Sequence, residues 1–231
     1  MWRNNTMVAI KKHHQWDLDY REAVKLQKKL SGSVILSDGF SRVKKIAGVD
    51  VRYVKNSDKI LCAVLVFSYP SLEIIEEKYV FSKVTFPYIP GLLSFREGPV
   101  VEKCFAKINN IPDLVFFDGH GYSHPRRFGL ASHMGVILDI ASIGCARSLL
   151  CGNYDKSSLH EEKGGYSYII DGNEIIGVAL ITRGNTKPVF VSAGNKISLE
   201  SAVKYTLLVS KYRIPEPVKL AHNFLKNINV V

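Results

Sequence analysis

The chain has only four cysteines among 231 residues, and no two of them stand at the close spacing that a zinc site needs. Cys62, Cys104, Cys145 and Cys151 fall in or beside apolar stretches such as ILCAVLVF and SIGCARSLLC, a pattern of free, buried thiols in a reducing cytosol. The N-terminal MWRNNTMVAIKKHHQW lacks an apolar run of signal-peptide length, and ILCAVLVF is less than half of a membrane span. The expectation is therefore a cytoplasmic protein with no membrane partner. There is no GxxxxGK[ST] phosphate loop, no GxSxG elbow and no HExxH, and GHGYSH lacks the third glycine of a dinucleotide fingerprint. Internal repeats, low-complexity tracts and domain-sized linkers are also missing. This predicts one domain over 1–231, with residues 1–13 as a loose N-terminal extension.

Acidic charge is the next shortage. Against 21 Asp and Glu stand 31 Lys and Arg, a net charge of +10 with a pI near 9.4. Such an excess draws the chain toward polyanions, nucleic acid first, although scattered cations also serve solubility alone. With 46% hydrophobic residues the chain has the material for a sizeable core.

What is present is an α/β pattern. WDLDYREAVKLQKKL sets Ala23, Leu26 and Leu30 on one helical face, predicting an amphipathic helix that covers a sheet. Three β-rich runs follow, 43–54, 59–70 and 72–84, on connections short enough to imply an antiparallel meander. FREGPVVEKCFAKI predicts a helix with Pro99 in or near its first turn, and LVFF a buried strand ending in Asp118. Beyond it come a helix at ASHMGVILDI, a strand at SIGCAR, a hairpin turned at Asp171–Gly172–Asn173, a strand at VFVSAGN, and two helices, the first capped by Ser198. This order predicts a mixed sheet with helices on both faces, in a ribonuclease H-like architecture.

With the common catalytic motifs excluded, the carboxylates remain. Most lie in charged stretches and read as solvated surface. Three do not: Asp50 interrupts the apolar IAGVDV, Asp118 ends LVFF, and Glu97 follows the stiff corner FPYIPGLLSFREGP where a helix should begin. A carboxylate at the end of a buried strand is costly without a cation. If the first and fourth strands are neighbours, Asp50 and Asp118 lie side by side, with Glu97 reaching over from the covering helix. Hard oxygen ligands of this kind suit Mg²⁺ or Mn²⁺, which can activate water against a phosphodiester. On its own, His222 in KLAHNF reads as a helix histidine at the core edge.

Assembled, these residues resemble the endonuclease V family. The resemblance rests on AGVD (47–50), FPYIPGLLSFREGP (86–99), DGHGYSHPRRFGLASHMG (118–135), SIGCAR (142–147), VFVSAGN (189–195) and RIPEPVKLAHN (213–223), in order and over nearly the whole chain. It implies Mg²⁺-dependent hydrolysis, with Mn²⁺ as a substitute, of the second phosphodiester 3′ to deoxyinosine, leaving 3′-hydroxyl and 5′-phosphate ends. The implied partner is double- or single-stranded DNA carrying deoxyinosine, with inosine-containing RNA as the alternative and a noncatalytic inosine reader as a further one. A monomer is expected. By position the resemblance makes Asp50, Glu97 and Asp118 the metal ligands and brings His222 to the metal's vicinity. Pro87, Tyr88, Ile89 and Pro90 match a wedge that enters the duplex at the lesion. Tyr88, Gly91, Leu93, Gly129 and Leu130 match a base pocket, whose glycines would let main-chain groups reach the base edge. His124 and Arg126 match a secondary substrate path. One departure is Arg147, where the family usually has a lysine near the scissile phosphate, and Leu149 takes a position that is often basic.

Overall fold

The computed structural model describes residues 14–229, so the expectation for residues 1–13 lies outside the described part. Its centre is one eight-stranded sheet in the order β3-β2-β1-β4-β5-β8-β7-β6. Strands β1 (Lys45–Tyr53), β2 (Lys59–Ser68) and β3 (Ile74–Lys83) form the expected antiparallel meander. β4 (Leu114–Phe117) and β5 (Ala141–Ala146) then run parallel to β1, and β8 (Val189–Asn195) returns antiparallel beside β5. β6 (Tyr166–Asp171) and β7 (Glu174–Leu180) extend the far edge as the hairpin read from the sequence. This order, with helices on both faces, is the ribonuclease H-like arrangement.

Alternation along the central strands sorts the core into two layers. Ile46, Leu114 and Phe116 pack with Ala202, Val218, Ala221 and Leu225, beneath α4 (Leu199–Leu208) and α5 (Glu216–Lys226). Ala47, Val49, Val115 and Phe117 pack on the other face with Val101, Cys104, Ala131 and Met134, beneath α2 (Leu93–Phe105) and α3 (Leu130–Ile137). Ser198 caps α4 by accepting from the Ser201 amide at 3.1 Å. All four cysteines are free thiols. Among the described residues, no helix is long and apolar enough to cross a membrane.

Two expectations need correction. The helix α1 (Tyr20–Leu30), opened by an Asp19–Glu22 capping box, does not lie on the sheet. Its Ala23 packs with Phe86, Leu92 and Phe95, and its Leu30 with Phe128 and Val136, so it braces the corner that precedes α2 and the outer side of α3. α2 itself starts at Leu93, and Pro99 is inside it rather than in its first turn. The reason is local: Gly91, at φ +79°, completes the corner, and burial of Leu92 and Phe95 starts the helix at once.

Candidate active site

The parallel ladder between β1 and β4 closes with Val49 opposite Phe117. Asp50 and Asp118 are the next residues on each strand, so the two carboxylates leave adjacent strands at the same level. Asp50 shares the face of Ile46 and Gly48, the face that α5 covers. There α5 packs backbone to backbone on β1: a Cβ on Gly48 would stand 2.0 Å from the Pro217 carbonyl oxygen. This close approach brings His222 Nδ1 to 3.0 Å from Asp50 Oδ2.

Glu97 arrives from the opposite face, on the second turn of α2 and not at its start as the sequence suggested. It is 7% exposed, as is Asp50, and its Oε1 accepts from the Tyr53 hydroxyl at 2.9 Å. Arg96 lies 4.8 Å over the Tyr53 ring and donates to the Phe86 carbonyl at 2.7 Å, which ties α2 to the chain entering the corner. Asp50, Glu97 and Asp118 line one small cavity of about 170 Å³.

The electrostatics of this cavity favour a cation. Burial, reinforced by Asp50 and Asp118, pushes the Glu97 carboxyl up to about 8 even though Tyr53 opposes the shift. Burial also raises Asp50, with the His222 hydrogen bond working against it and Asp118 adding to it. As the side chains stand, no three of His, Cys, Asp and Glu among the described residues converge on a single point. Each carboxylate has taken the nearest donor: Asp50 has His222, Glu97 has Tyr53, and Asp118 Oδ2 holds Arg147 through Nε at 3.1 Å and Nη2 at 3.0 Å. Arg147, matched by sequence to a phosphate contact, is thus paired with a carboxylate. Three mutually repelling carboxylates offer only hard oxygens, a donor set that fits Mg²⁺ or Mn²⁺.

Beside this small cavity, and sharing Asp118 and Leu130 with it, lies a larger one of about 320 Å³ on the α2–α3 face. Tyr88, Ile89 and Pro90 form one wall, and Gly91, Leu93 and Gly129 continue it. Tyr88 is 70% exposed at the tip of the corner, while Phe86 and Ile89 anchor that corner in the cluster around Ala23 and Phe95. The corner is closed by the Leu92 amide donating to the Ile89 carbonyl at 2.9 Å.

The Gly91 part of the wall is braced by polar side chains, of which Gln27 and His124 also line the cavity. The Gly91 carbonyl accepts from Gln27 Nε2 at 3.0 Å and Arg126 Nη2 at 2.7 Å, and His124 Nε2 lies 2.9 Å from it. Gln27 also donates to the Phe128 carbonyl at 3.0 Å and accepts from Arg126 Nε at 2.6 Å. The Gly129 amide is bound to the Gly121 carbonyl. The Gly91 carbonyl and the Gly129 amide are therefore engaged within the wall. His124 itself lines the cavity, while Arg126 stands behind Gly91. His124 is 2% exposed, and burial with Arg126 nearby lowers it to about 4, so it is neutral.

Sequence reasoning missed Gln27, Tyr53 and His120. Gln27 carried a signal, since a polar residue in phase with Ala23 and Leu30 on an apolar helix face asks for a buried partner. His120 lines the cavity, is lowered to about 4 by burial, and keeps a buried Nδ1 with no hydrogen-bond partner.

The sequence model of the family described as Endonuclease V matches residues 28–223. A protein named Endonuclease V from Dictyoglomus thermophilum is 45% identical over 216 residues, covering 93% of this chain and 92% of that protein. The crystal structure of Endonuclease V from Streptomyces avermitilis superposes with a TM-score of 0.86 at 36% identity, covering 96% of each chain. Endonuclease V from Ciona intestinalis, solved with a 23mer DNA containing an inosine followed by a ribo-adenosine, gives a TM-score of 0.78 at 33% identity, covering 89% of this chain and 95% of that one.

Proposed function

Because this chain belongs to the endonuclease V family of nucleases, we propose that it recognises deoxyinosine in DNA and hydrolyses the second phosphodiester 3′ to it. The products are 3′-hydroxyl and 5′-phosphate ends. The observation that carries this reading is the shared wall between the two cavities. Asp118 and Leu130 border both the base-sized space and the carboxylate cluster, a shared wall that supports a set span from a captured base to a cut. The Ciona complex, with inosine in its DNA, supports the same substrate.

Asp50, Glu97 and Asp118 would hold Mg²⁺, or Mn²⁺ in its place, and such an ion supplies positive charge at the phosphodiester and lowers the pKa of attacking water. The protein's own part is preorganisation. His222 fixes the orientation of Asp50, and Tyr53 that of Glu97. Arg147 keeps a permanent positive charge beside Asp118 and, as a guanidinium, does not give up a proton at neutral pH, so its contribution is electrostatic. The stiff Pro87–Pro90 segment displaces the lesion base at little ordering cost, and that base enters the cavity behind Tyr88.

The test is a labelled duplex with one deoxyinosine. The expected result is a single Mg²⁺-dependent nick, one nucleotide beyond the bond adjacent to the lesion, which EDTA abolishes. Cutting that ignores the inosine, or no cutting, overturns the proposal. Asp50→Ala separates catalysis from reading, because it should bind the same duplex and leave it intact. A second reading, inosine beside ribose, draws on the ribo-adenosine of the Ciona complex. Matched oligonucleotides with deoxyribose or ribose at the cut decide it through the 2′-hydroxyl.

A further inference from the structure

On the α5 face a third cavity, of about 480 Å³, opens next to the carboxylates, walled by Arg147, Tyr212, Arg213, Ile214, Lys219 and His222. No acidic side chain is among these six. Arg213 is occupied with the fold: it donates to the carbonyls of Lys187 and Pro188 at 2.9 Å each and of Arg147 at 3.1 Å. It thereby holds the Arg147 segment against the rim and acts as a positioning residue.

Lys219, together with Arg183 from outside the lining, is gathered by an aromatic ring. Tyr212 is 47% exposed, Lys219 Nζ stands 3.4 Å from the centre of its ring, and Arg183 Cζ lies 5.5 Å from it. Lys219 also reaches Glu216, one turn earlier on α5, at 3.4 Å. Contact with the ring orders both long side chains before any ligand arrives, which lowers the entropy lost on binding an anion.

The position of this cavity defines what it can take. The base-sized cavity opens on the α2–α3 face and this one on the α5 face, with the carboxylates at the sheet end between them. Arg147 lines both cavities, and His222, in the wall of the second, touches Asp50. A strand whose base enters the first cavity and whose phosphodiester crosses the carboxylates leaves over the second.

The geometry points to the groove between Arg147 and the Lys219–Tyr212–Arg183 stack as the binding site for the sugar-phosphate backbone that continues 3′ beyond the cut. The direction rests on the function proposed above, and the one-signed lining selects phosphate. The site adds affinity for the downstream flank without touching the reacting bond.

The test compares deoxyinosine duplexes whose nicked strand extends far beyond the cut or ends one nucleotide past it. Wild type should lose kcat/KM on the short substrate. The Lys219→Gln, Arg183→Gln double variant should show KM raised about tenfold on the long substrate, the scale of one or two lost phosphate contacts, with kcat retained. It should be indifferent to truncation, and its log kcat/KM against log salt should flatten by about 0.9 for each phosphate contact removed. Tyr212→Phe keeps the ring and should behave as wild type, while Tyr212→Ala should follow the double variant, all with unchanged thermal melts. Equal loss on both lengths, or coupling to the 5′ flank instead, overturns the groove alone. A wild type that nicks neither duplex at deoxyinosine overturns the underlying function, and the groove's direction with it.

Discussion

Arg147 sets two nitrogens, Nε and Nη2, on a single oxygen of Asp118 at 3.1 and 3.0 Å, and so holds the carboxylate that both main cavities share. The pair is half exposed, so its contribution to stability is small. On the proposed function its contribution to chemistry is larger, because a fixed positive charge beside a reacting phosphodiester stabilises the charge that develops there. Arg147→Gln should lower the single-turnover nicking rate by roughly 10–100-fold, the range of one charge-assisted contact. Arg147→Lys should stay within several-fold of wild type, because charge without proton transfer is what the guanidinium supplies. A lysine variant as slow as the glutamine variant would show that the forked geometry matters more than the charge.

Glu97 makes stability depend on pH. Its ordinary value of 4.5 is raised to about 8 in the fold. A raised carboxyl contributes fully below its unfolded value, and that contribution is lost as pH rises through the folded value, a loss on the order of a few kcal/mol. In EDTA the wild type should therefore weaken between about pH 5 and pH 8 by this route. Glu97→Gln keeps an acceptor for Tyr53 and carries no charge, so its Tm should exceed that of wild type by a margin that grows with pH. Thermal melts across that range, with the catalytic activity of the variant abolished, check the sign. Added Mg²⁺ should narrow the gap at high pH by stabilising the wild type.

These two residues mark the limits of what the sequence discloses. Asp118 and Asp50 stood out because each breaks an apolar strand, and short connections made the first three strands and their pairing direct to read. Glu97 stood out too, but its place on α2 did not. Pro99 suggested a helix start, whereas the corner at Gly91 and the burial of Leu92 and Phe95 started it earlier. The partners of the carboxylates were less legible still: Asp50 and His222 are 172 positions apart, and only the family resemblance, not the residue pattern, put His222 near the metal. Gln27 shows the same limit from another side. Its phase on α1 announced a buried polar group, but its acceptors, the carbonyls of Gly91 and Phe128, are fixed only when α1 packs on the corner.

Gly48 links the fold to the site. With the Pro217 carbonyl 2.0 Å from where its Cβ would be, Gly48→Ala must push α5 away from β1. Overpacking of this kind costs about 1–3 kcal/mol. The displaced helix carries His222, so nicking should fall by about tenfold or more as Asp50 loses its orientation. Gly32→Ala is the control, because nothing lies within 4 Å of its added Cβ, and it should leave both Tm and rate unchanged. Loss of stability in Gly48→Ala with a normal rate would mean that His222 does not need this packing to reach Asp50.

Tyr88 is the most exposed of the large hydrophobic residues named at the site, at 70%, and it stands on a corner whose neighbours Phe86 and Ile89 are anchored in the core. An exposed ring on a rigid mount is poorly explained by stability, since removing it takes little apolar area out of contact. It is well explained by stacking on a base, which is worth about 1–3 kcal/mol and corresponds to roughly 5–150-fold in affinity. Tyr88→Ala should therefore keep the wild-type Tm while weakening binding to deoxyinosine duplex within that range, and Tyr88→Phe should restore it. With 2-aminopurine placed opposite or beside the lesion, wild type should raise the fluorescence as the stack opens, and the alanine variant should not. If the alanine variant opens the stack as well as wild type does, the prolines on either side act as the wedge, and the tyrosine ring only closes the cavity.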